Sequence, residues 1–402
     1  MKTRTQIWID RSIGKSIAFF LNFLVRLAGQ ILRPRHDLSH PFKTIAVCKF
    51  KGMGSIIQAT PLIQTLKANY PNARLCFVTT PANVALLKKI SIVNEIIVIN
   101  DSNIFRLISS TIGAIFRMWK LRIAVYFDLE IYSHFSSLIT TLSVSRNRFG
   151  FYLRSGNYRM GMYTHMMFFN IKAPVSKVYL QMASLLPLKT QTDKLYSLIS
   201  DSVRSFSETE YVVINPNASD LRLERRWPAD KFIMLTEVLL KETDYNIIFI
   251  GSKQESNYVK SICDKFNSKR IINLAGNTSL DELIGIIKGA KAMITNDTGP
   301  MHLAFSTGCP VVALFGPCSP QQYGMSEKVV CIYKSHYCSP CIHEFIIPPC
   351  SGNNVCMKDI NIEEVFTAFR KILKNDFYSE TKQTEILYQS QTENFLPGKV
   401  TR

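Results

Sequence analysis

From residue 44 onward the chain alternates short apolar runs with helical patterns, in two series. TIAVCKF (44–50), RLCFVTT (74–80), EIIVIN (95–100) and RIAVYFDLE (122–130) have the length of strands and are largely apolar on both faces. YVVINP (211–216), NIIFIG (246–251), RIINLAG (270–276), AMITND (292–297), VVALFG (311–316) and VVCIY (329–333) repeat the pattern. A strand with two apolar faces must be covered on both, and helices between successive strands supply that cover. SIIQATPLIQTLKANYP (55–71) is one such helical pattern. Ser279 and Glu282 form a capping box that opens another, DELIGIIKG, and a third lies near 361–374. The alternation predicts two doubly wound α/β domains with parallel sheets. Residues 186–209 are polar and weakly periodic, and mark the connection. The expected parts are an N-terminal segment 1–43, a first domain 44–190, a second domain 205–375 and a polar tail 376–402. In such sheets ligands bind outside the carboxyl ends of the strands, so functional residues are expected just after them.

Charge narrows the partners. The 402 residues carry a formal net charge of +18, which points to an anionic partner. Residues 1–51 hold ten Lys and Arg against two acids, a net +8. Within them, SIGKSIAFFLNFLVRLAGQILR (12–33) has Asn22, Arg26 and Gln30 spaced as a polar stripe on a helix. Phe19, Phe20, Phe23, Leu24, Leu27 and Ile31 fall on its other faces. A basic helix with a wide apolar face suits the membrane interface; the alternative is a helix packed on the protein's own body. No run of 18 uninterrupted apolar residues occurs, so no transmembrane helix is expected. The apolar stretch also lacks a small-residue cleavage site, which argues against a secretory signal.

Three strand–turn–helix segments carry candidate chemistry. In NDTGPMHLAFSTGCPVVALFGP (296–317), a strand ends at Asp297 and a helix starts after Thr298-Gly299-Pro300, with Met301 and His302 in its first turn. Gly299 permits close backbone approach, Pro300 suits the first helical position, and the helix start offers N–H groups to a phosphate. Asp297 can accept hydrogen bonds from sugar hydroxyls, or simply cap the helix. KFKGMGSIIQATP (49–61) has a glycine turn, Gly52-Met53-Gly54, before its helix. It lacks both GxGxxG and the GK[ST] of a phosphate loop. INPNAS (214–219) runs into ERRWP (224–228), where Arg225 and Arg226 could meet a diphosphate or stand as solvated charges.

In this order the segments resemble glycosyltransferase family 9, the heptosyltransferases of lipopolysaccharide core assembly and their relatives. The D-T-G-P-M-H signature stands here at Asp297 to His302, followed by P-V-V-A-L-F-G-P at Pro310 to Pro317. The family's P-G-A-S…K-R-W-P is similar to Pro216-Asn217-Ala218-Ser219 and Arg225-Arg226-Trp227-Pro228. Its S-L-G-D…T-x-P turn is similar to Gly52-Met53-Gly54-Ser55 through Pro61. The likeness covers roughly 44–374. It implies a GT-B fold, two Rossmann-like domains facing across a cleft. It implies inverting, metal-independent transfer of a heptose-like sugar from a nucleotide-diphospho-sugar to a lipopolysaccharide core or related glycolipid. Residues 298–302, with Asn217 and Ser219, would hold the donor. Asp297 would contact its sugar, and Arg225 would take the place of a Lys that neutralises the leaving phosphate.

One departure matters. The family's heptosyltransferases place an Asp, their general base, where this chain has Ser55. A serine hydroxyl holds its proton too tightly for that work, although it can hydrogen-bond an acceptor or phosphate. Asp128 and Glu130, at the end of the fourth strand, are the substitute candidates; the alternative is a helix cap and a solvated charge.

Ten cysteines complete the inventory. Cys48, Cys76 and Cys263 lie inside apolar runs and are expected in the core. Cys338, Cys341, Cys350 and Cys356 cluster, with His336 and His343 nearby. Four thiolates suit a structural zinc, although the second pair lacks ligand spacing. No cofactor is expected for catalysis itself. A glycolipid acceptor and an anionic membrane surface are the expected partners, at the cytoplasmic face of the inner membrane. Two other classes are weaker. A nicotinamide-dependent oxidoreductase lacks its GxGxxG turn, and a nucleic-acid binder lacks any recognised motif, so no nucleic acid is expected.

Overall fold

The computed structural model describes residues 5, 8–39, 41–153, 156–200, 209–218, 222–324, 326–342, 348, 350–374 and 385–389. The chain forms two units, Met1–Tyr196 and Ser197–Arg402. Their division falls inside the polar connection.

The first unit is built on six parallel strands. These are β1 (Thr44–Cys48), β2 (Arg74–Thr79), β3 (Glu95–Val98), β4 (Val125–Asp128), β5 (Asn147–Tyr152) and β6 (His165–Phe168), in the order β3-β2-β1-β4-β5-β6. β1 is buried throughout, with Ile45 beside Leu75 of β2 and Val125 of β4. The sequence pattern passes over β5 and β6 because Asn147, Arg148, Gly150 and His165 interrupt their apolar character. Gly150 is needed there: a Cβ would stand 2.4 Å from the Tyr163 ring. Four helices concern the function: α1 (Lys15–Leu32), α2 (Met53–Gln58), α3 (Ile104–Leu121) and α4 (His134–Leu142).

The N-terminal segment is packed into this unit. Ala18 of α1 is fully buried in a cluster with Leu138, Met162 and Tyr163, and Leu21 packs beside it. Two residues of the polar stripe, Asn22 and Arg26, bond to the unit, while Gln30 is exposed. Asn22 donates to the carbonyls of Tyr158 (2.6 Å) and Met160 (2.8 Å), and Arg26 donates to Met160 (2.8 Å). Asp10 accepts the N–H groups of His134 (3.0 Å) and Phe135 (2.6 Å), where a carboxylate complements the start of α4. Phe19, Phe20, Phe23, Leu24, Leu27 and Ile31 are exposed. The helix Asp10–Leu32, a π-helical turn followed by α1, is long and apolar enough to cross a membrane by length and composition. This corrects the expectation drawn from uninterrupted runs. Lys15 and Arg26 break the run, yet the mean hydropathy stays at 1.3.

The second unit repeats the winding. Its strands are β7 (Tyr211–Asn215), β8 (Asn246–Phe249), β9 (Ile271–Asn273), β10 (Met293–Asn296), β11 (Val311–Phe315), β12 (Val329–Lys334) and β13 (Glu385–Gln389). All pair in parallel, in the order β13-β12-β11-β10-β7-β8-β9. β13 belongs to the segment expected as a polar tail, so that segment adds a strand to the sheet. α5 (Leu280–Gly289) opens with the expected capping box, Ser279 N–H to Glu282 at 2.8 Å and Glu282 N–H to Ser279 at 3.2 Å. α6 (Gly299–Thr307) follows β10, and α7 (Ile362–Leu373) packs under the sheet through Val365, Phe369 and Ile372. Trp227 fills the same core, and its indole N–H donates to the Ile360 carbonyl at 3.1 Å. The lone cysteines Cys48, Cys76 and Cys263 are buried as expected.

Candidate active site

In the second unit the order of strands reverses between β7 and β10. Three asparagines tie the carboxyl ends there. Asn296 accepts the Trp227 N–H (3.1 Å) and donates to the Asn217 carbonyl (3.0 Å). Asn217 donates to the Ile250 carbonyl (2.8 Å) and to Asn215 (3.0 Å), and Asn215 donates to the Thr298 hydroxyl (2.7 Å). The end of β8 must be a glycine, since a Cβ on Gly251 would stand 2.7 Å from the Asn217 amide nitrogen. Asn217 is thus a strand tie, and its side-chain oxygen is buried with no protein partner.

Above this ladder α6 begins. Thr298 is extended and its side chain does not cap the helix, so the first-turn N–H groups keep room for another acceptor. Pro300 sits in the first turn, and Met301 is buried below it. Asp297 is nearly buried, with its carboxylate 3.6 Å from the Arg225 guanidinium. That gap is longer than a hydrogen bond, and both Asp297 Oδ2 and Arg225 Nε are buried without a hydrogen-bond partner. The Cys318 thiol lies against the pair. Nothing in the sequence marks Cys318 beyond its place directly after the FGP turn. His302 is buried; burial pushes its pKa down to about 4, with Asp297 opposing and Arg225 adding to the shift. It stands here as a neutral imidazole, so any phosphate contact from it carries no charge. Arg226 lies 3.9 Å above the Tyr258 ring and is used in packing. Ser219 falls outside the described residues.

In the first unit the reversal lies between β1 and β4. Gly52 has φ 92°, a backbone that favours glycine, and it turns the chain from β1 into α2. Met53 and Gly54 open α2, and Ser55 reaches Tyr179. Glu130 pins the turn: it pairs with Lys49 at 2.9 Å and accepts the Phe50 N–H (2.9 Å) and the Lys51 N–H (3.4 Å). Burial alone raises the Glu130 pKa, but Lys49 and these donors bring it below the ordinary value. Lys49, a cation at the end of the β1 run, is a residue of this cluster that the sequence pattern passes over.

Asp128 sits differently. It is fully buried and accepts from Ser136 (2.8 Å), the Tyr163 hydroxyl and the Glu130 N–H (2.9 Å), with Arg159 at 3.5 Å. Burial raises its pKa against the pull of Arg159 and Tyr163. Strand alternation suggests one shared face for the two carboxylates. Instead Asp128 faces the inside of the unit while Glu130 turns to the glycine loop.

Cys338, Cys341, Cys350 and Cys356 line one recess of about 120 Å³ together with His336. All four are free thiols. The Cys356 pKa is pushed up to about 12 by burial and by its three neighbours. The donor set suits zinc, but among the described residues no three His, Cys, Asp or Glu are grouped to hold an ion as they stand. His336 pairs with Asp359 at 2.9 Å, and His343 lies outside the described residues.

A family model described as glycosyltransferase family 9 (heptosyltransferase) matches residues 159–347, the part that holds the asparagine ladder, Arg225, Asp297 and α6. Over that stretch the chain is similar to glycosyltransferase family 9. Lipopolysaccharide heptosyltransferase 2 of Escherichia coli K12 is 36% identical over 99 residues, 24% of this chain. That stretch spans only 28% of the relative's length. Lipopolysaccharide heptosyltransferase 3 of the same organism is 23% identical over 83% of this chain and 99% of its own. The solved structure of E. coli ADP-heptose lps heptosyltransferase II superposes with a TM-score of 0.66. It is 23% identical and covers 83% of this chain and 99% of that one. The shared fold is GT-B, and the two doubly wound sheets are its halves.

Two buried titratable groups, His302 and Asp128, make stability testable. Below pH 6.5 the unfolded chain protonates His302, whereas the folded one does so only near pH 4. Stability therefore falls as pH drops through that window, by a contribution on the order of 3 kcal/mol. Urea midpoints measured against pH will show a shallower slope for His302→Asn than for the unaltered chain. Asp128→Asn leaves the Arg159 cation buried without its carboxylate, which costs about 3–5 kcal/mol. Urea unfolding will show that loss; a change under 1 kcal/mol contradicts the buried network.

Proposed function

We propose that this chain is a glycosyltransferase of family 9 that transfers a heptose from a nucleoside-diphospho-heptose to a lipopolysaccharide core or a related cell-envelope glycolipid. Transfer proceeds with inversion, and the reaction itself uses no metal. One observation carries this reading: the half-buried Arg225 and the buried Asp297, imperfectly paired, flank the uncapped start of α6. A diphosphate is the ligand that such a place satisfies, through N–H groups, the positive helix end and a guanidinium. As the sugar–phosphate bond breaks, charge grows on the leaving diphosphate, and preset donors stabilise it without reorganising. The name of the neighbouring E. coli enzyme makes ADP-heptose the first donor to test.

The acceptor belongs to the first unit in this reading. Its hydroxyl oxygen attacks the anomeric carbon, the bond to the diphosphate breaks, and the hydroxyl proton needs a base. Glu130, ionised beside the Gly52 turn, is that base, and Ser55 hydrogen-bonds the acceptor. Asp128 is a positioning residue that fixes α4 and β6. The enzyme works peripherally at the cytoplasmic face of the inner membrane, where α1 meets the lipid that carries the acceptor.

The test is release of nucleoside diphosphate from ADP-heptose in the presence of a heptose-deficient lipopolysaccharide. Arg225→Ala is expected to lower kcat by about 100- to 1,000-fold, the usual cost of removing one preset charge donor. Turnover of that variant within threefold of the unaltered chain overturns the donor site.

The four clustered cysteines are the candidate ligands of a structural zinc in the same reading, supported by their common recess. Elemental analysis of protein purified without added metal is expected to find about one zinc per chain for four thiolate ligands. Less than about a tenth of an equivalent leaves the cluster as packed thiols.

A further inference from the structure

The outer side of α3 is apolar and uncovered. Phe105, Ile108, Ile112, Phe116 and Trp119 follow the three- and four-residue spacing of one helix face, and all are exposed, Phe105 by 81% and Phe116 by 61%. The opposite side of α3 is ordinary core: Leu107, Ala114, Ile115 and Met118 pack with Ile97, Ile99, Phe135 and Ile139. A surface helix of a soluble domain needs only that second face. The first calls for an explanation, because contiguous exposed apolar patches mark interaction sites.

α3 is not alone. α4 lies between it and α1, giving Phe135 and Ile139 to the α3 cluster and Leu138 to the α1 cluster. The Trp119 indole N–H donates to the Leu142 carbonyl at the end of α4 (2.8 Å), which fixes α3 against it. At that end Val144 is 71% exposed with φ 54°. A β-branched residue held in the left-handed region is strained, and nothing in the protein's own packing repays an exposed valine there. α1, α4 and α3 thus form one layer of the unit. Its outer surface carries the α1 row, Val144 and the α3 row.

The charges around that surface are mostly positive, with Arg117 paired to Glu95. Residues 102–122 contain Arg106, Arg117, Lys120 and Arg122 and no acid. Arg106, Lys120 and Arg122 are exposed, as are Arg11, Lys15, Arg33 and Arg35 around α1. The acid within α1's approach, Asp10, is spent on capping α4. An apolar face ringed by cations complements an anionic bilayer: side chains enter the acyl boundary while cations meet the headgroups.

We infer that α3 is a second bilayer-docking element, and that it and α1 lie together in the interface of an anionic membrane. The inference rests on the membrane reading of α1 and extends it from one helix to a plane. Because Asn22 and Arg26 hold the inner face of α1 to the unit, the helix lies along the protein surface in this arrangement.

The test uses the full chain in flotation with vesicles of phosphatidylcholine alone and with 30% phosphatidylglycerol. One variant carries Phe105→Ser and Phe116→Ser; a second carries Phe20→Ser and Phe23→Ser. All four positions are exposed, and circular dichroism melts check that both variants fold. Binding is expected only with the anionic lipid, and each variant is expected to partition at least tenfold more weakly. If the α3 variant binds as the unaltered chain does while the α1 variant fails, the inference about α3 is overturned and the α1 reading stands. If only the α3 variant fails, the α1 reading falls and the shared plane of α1 and α3 is overturned with it. Loss of a dimer by light scattering in the α3 variant, with vesicle binding intact, assigns the face to a second copy of the chain and overturns the proposal.

Discussion

Where the strand order of a doubly wound sheet reverses, the crossover helices leave to opposite sides, and the carboxyl ends of two neighbouring strands stay uncovered. The rest of this structure depends on that constraint. It occurs between β1 and β4 in one unit and between β7 and β10 in the other. At both places polar side chains tie the strand ends together. In the second unit asparagines do this work through Asn215, Asn217 and Asn296. In the first unit an ion pair does it, Lys49 with Glu130. The neutral ladder leaves the charged residues Arg225 and Asp297 available above it. The ion pair, by contrast, is itself part of the Gly52 turn, through the Phe50 and Lys51 N–H groups that Glu130 accepts.

That difference explains which parts were legible in the sequence. The unit-2 site is local: Asp297 to His302 is one continuous strand–turn–helix, and its glycine and proline state the geometry. Arg225 precedes Trp227, whose burial fixes it beside Asn296. The unit-1 site is assembled from afar. Lys49 and Glu130 are 81 residues apart, and nothing in either local pattern announces their pairing. Asp128 looks like a strand-end carboxylate until Tyr163 and Arg159, some thirty residues on, close over it. Strand alternation assigns a side to a residue, but not what later chain segments bring to that side.

The N-terminal region shows the same limit from the other direction. Helical spacing correctly groups Asn22 with Arg26, but polar residues on an amphipathic helix normally face water. Here they face the carbonyls of Tyr158 and Met160, and the apolar side is left outside. Inversion of the usual orientation is what makes a membrane reading physical rather than compositional. In the proposed reading, the excess of basic residues, which composition alone assigns to any anionic partner, is divided between a lipid-facing layer and a few guanidiniums inside the units.

The central claim is that a diphosphate binds at the start of α6. Amide hydrogen exchange of residues 298–305, with and without ADP, tests it most directly. The account predicts slower exchange in that stretch on adding ADP, and loss of the protection in Arg225→Ala. Binding of ADP with unchanged exchange at 298–305 contradicts it.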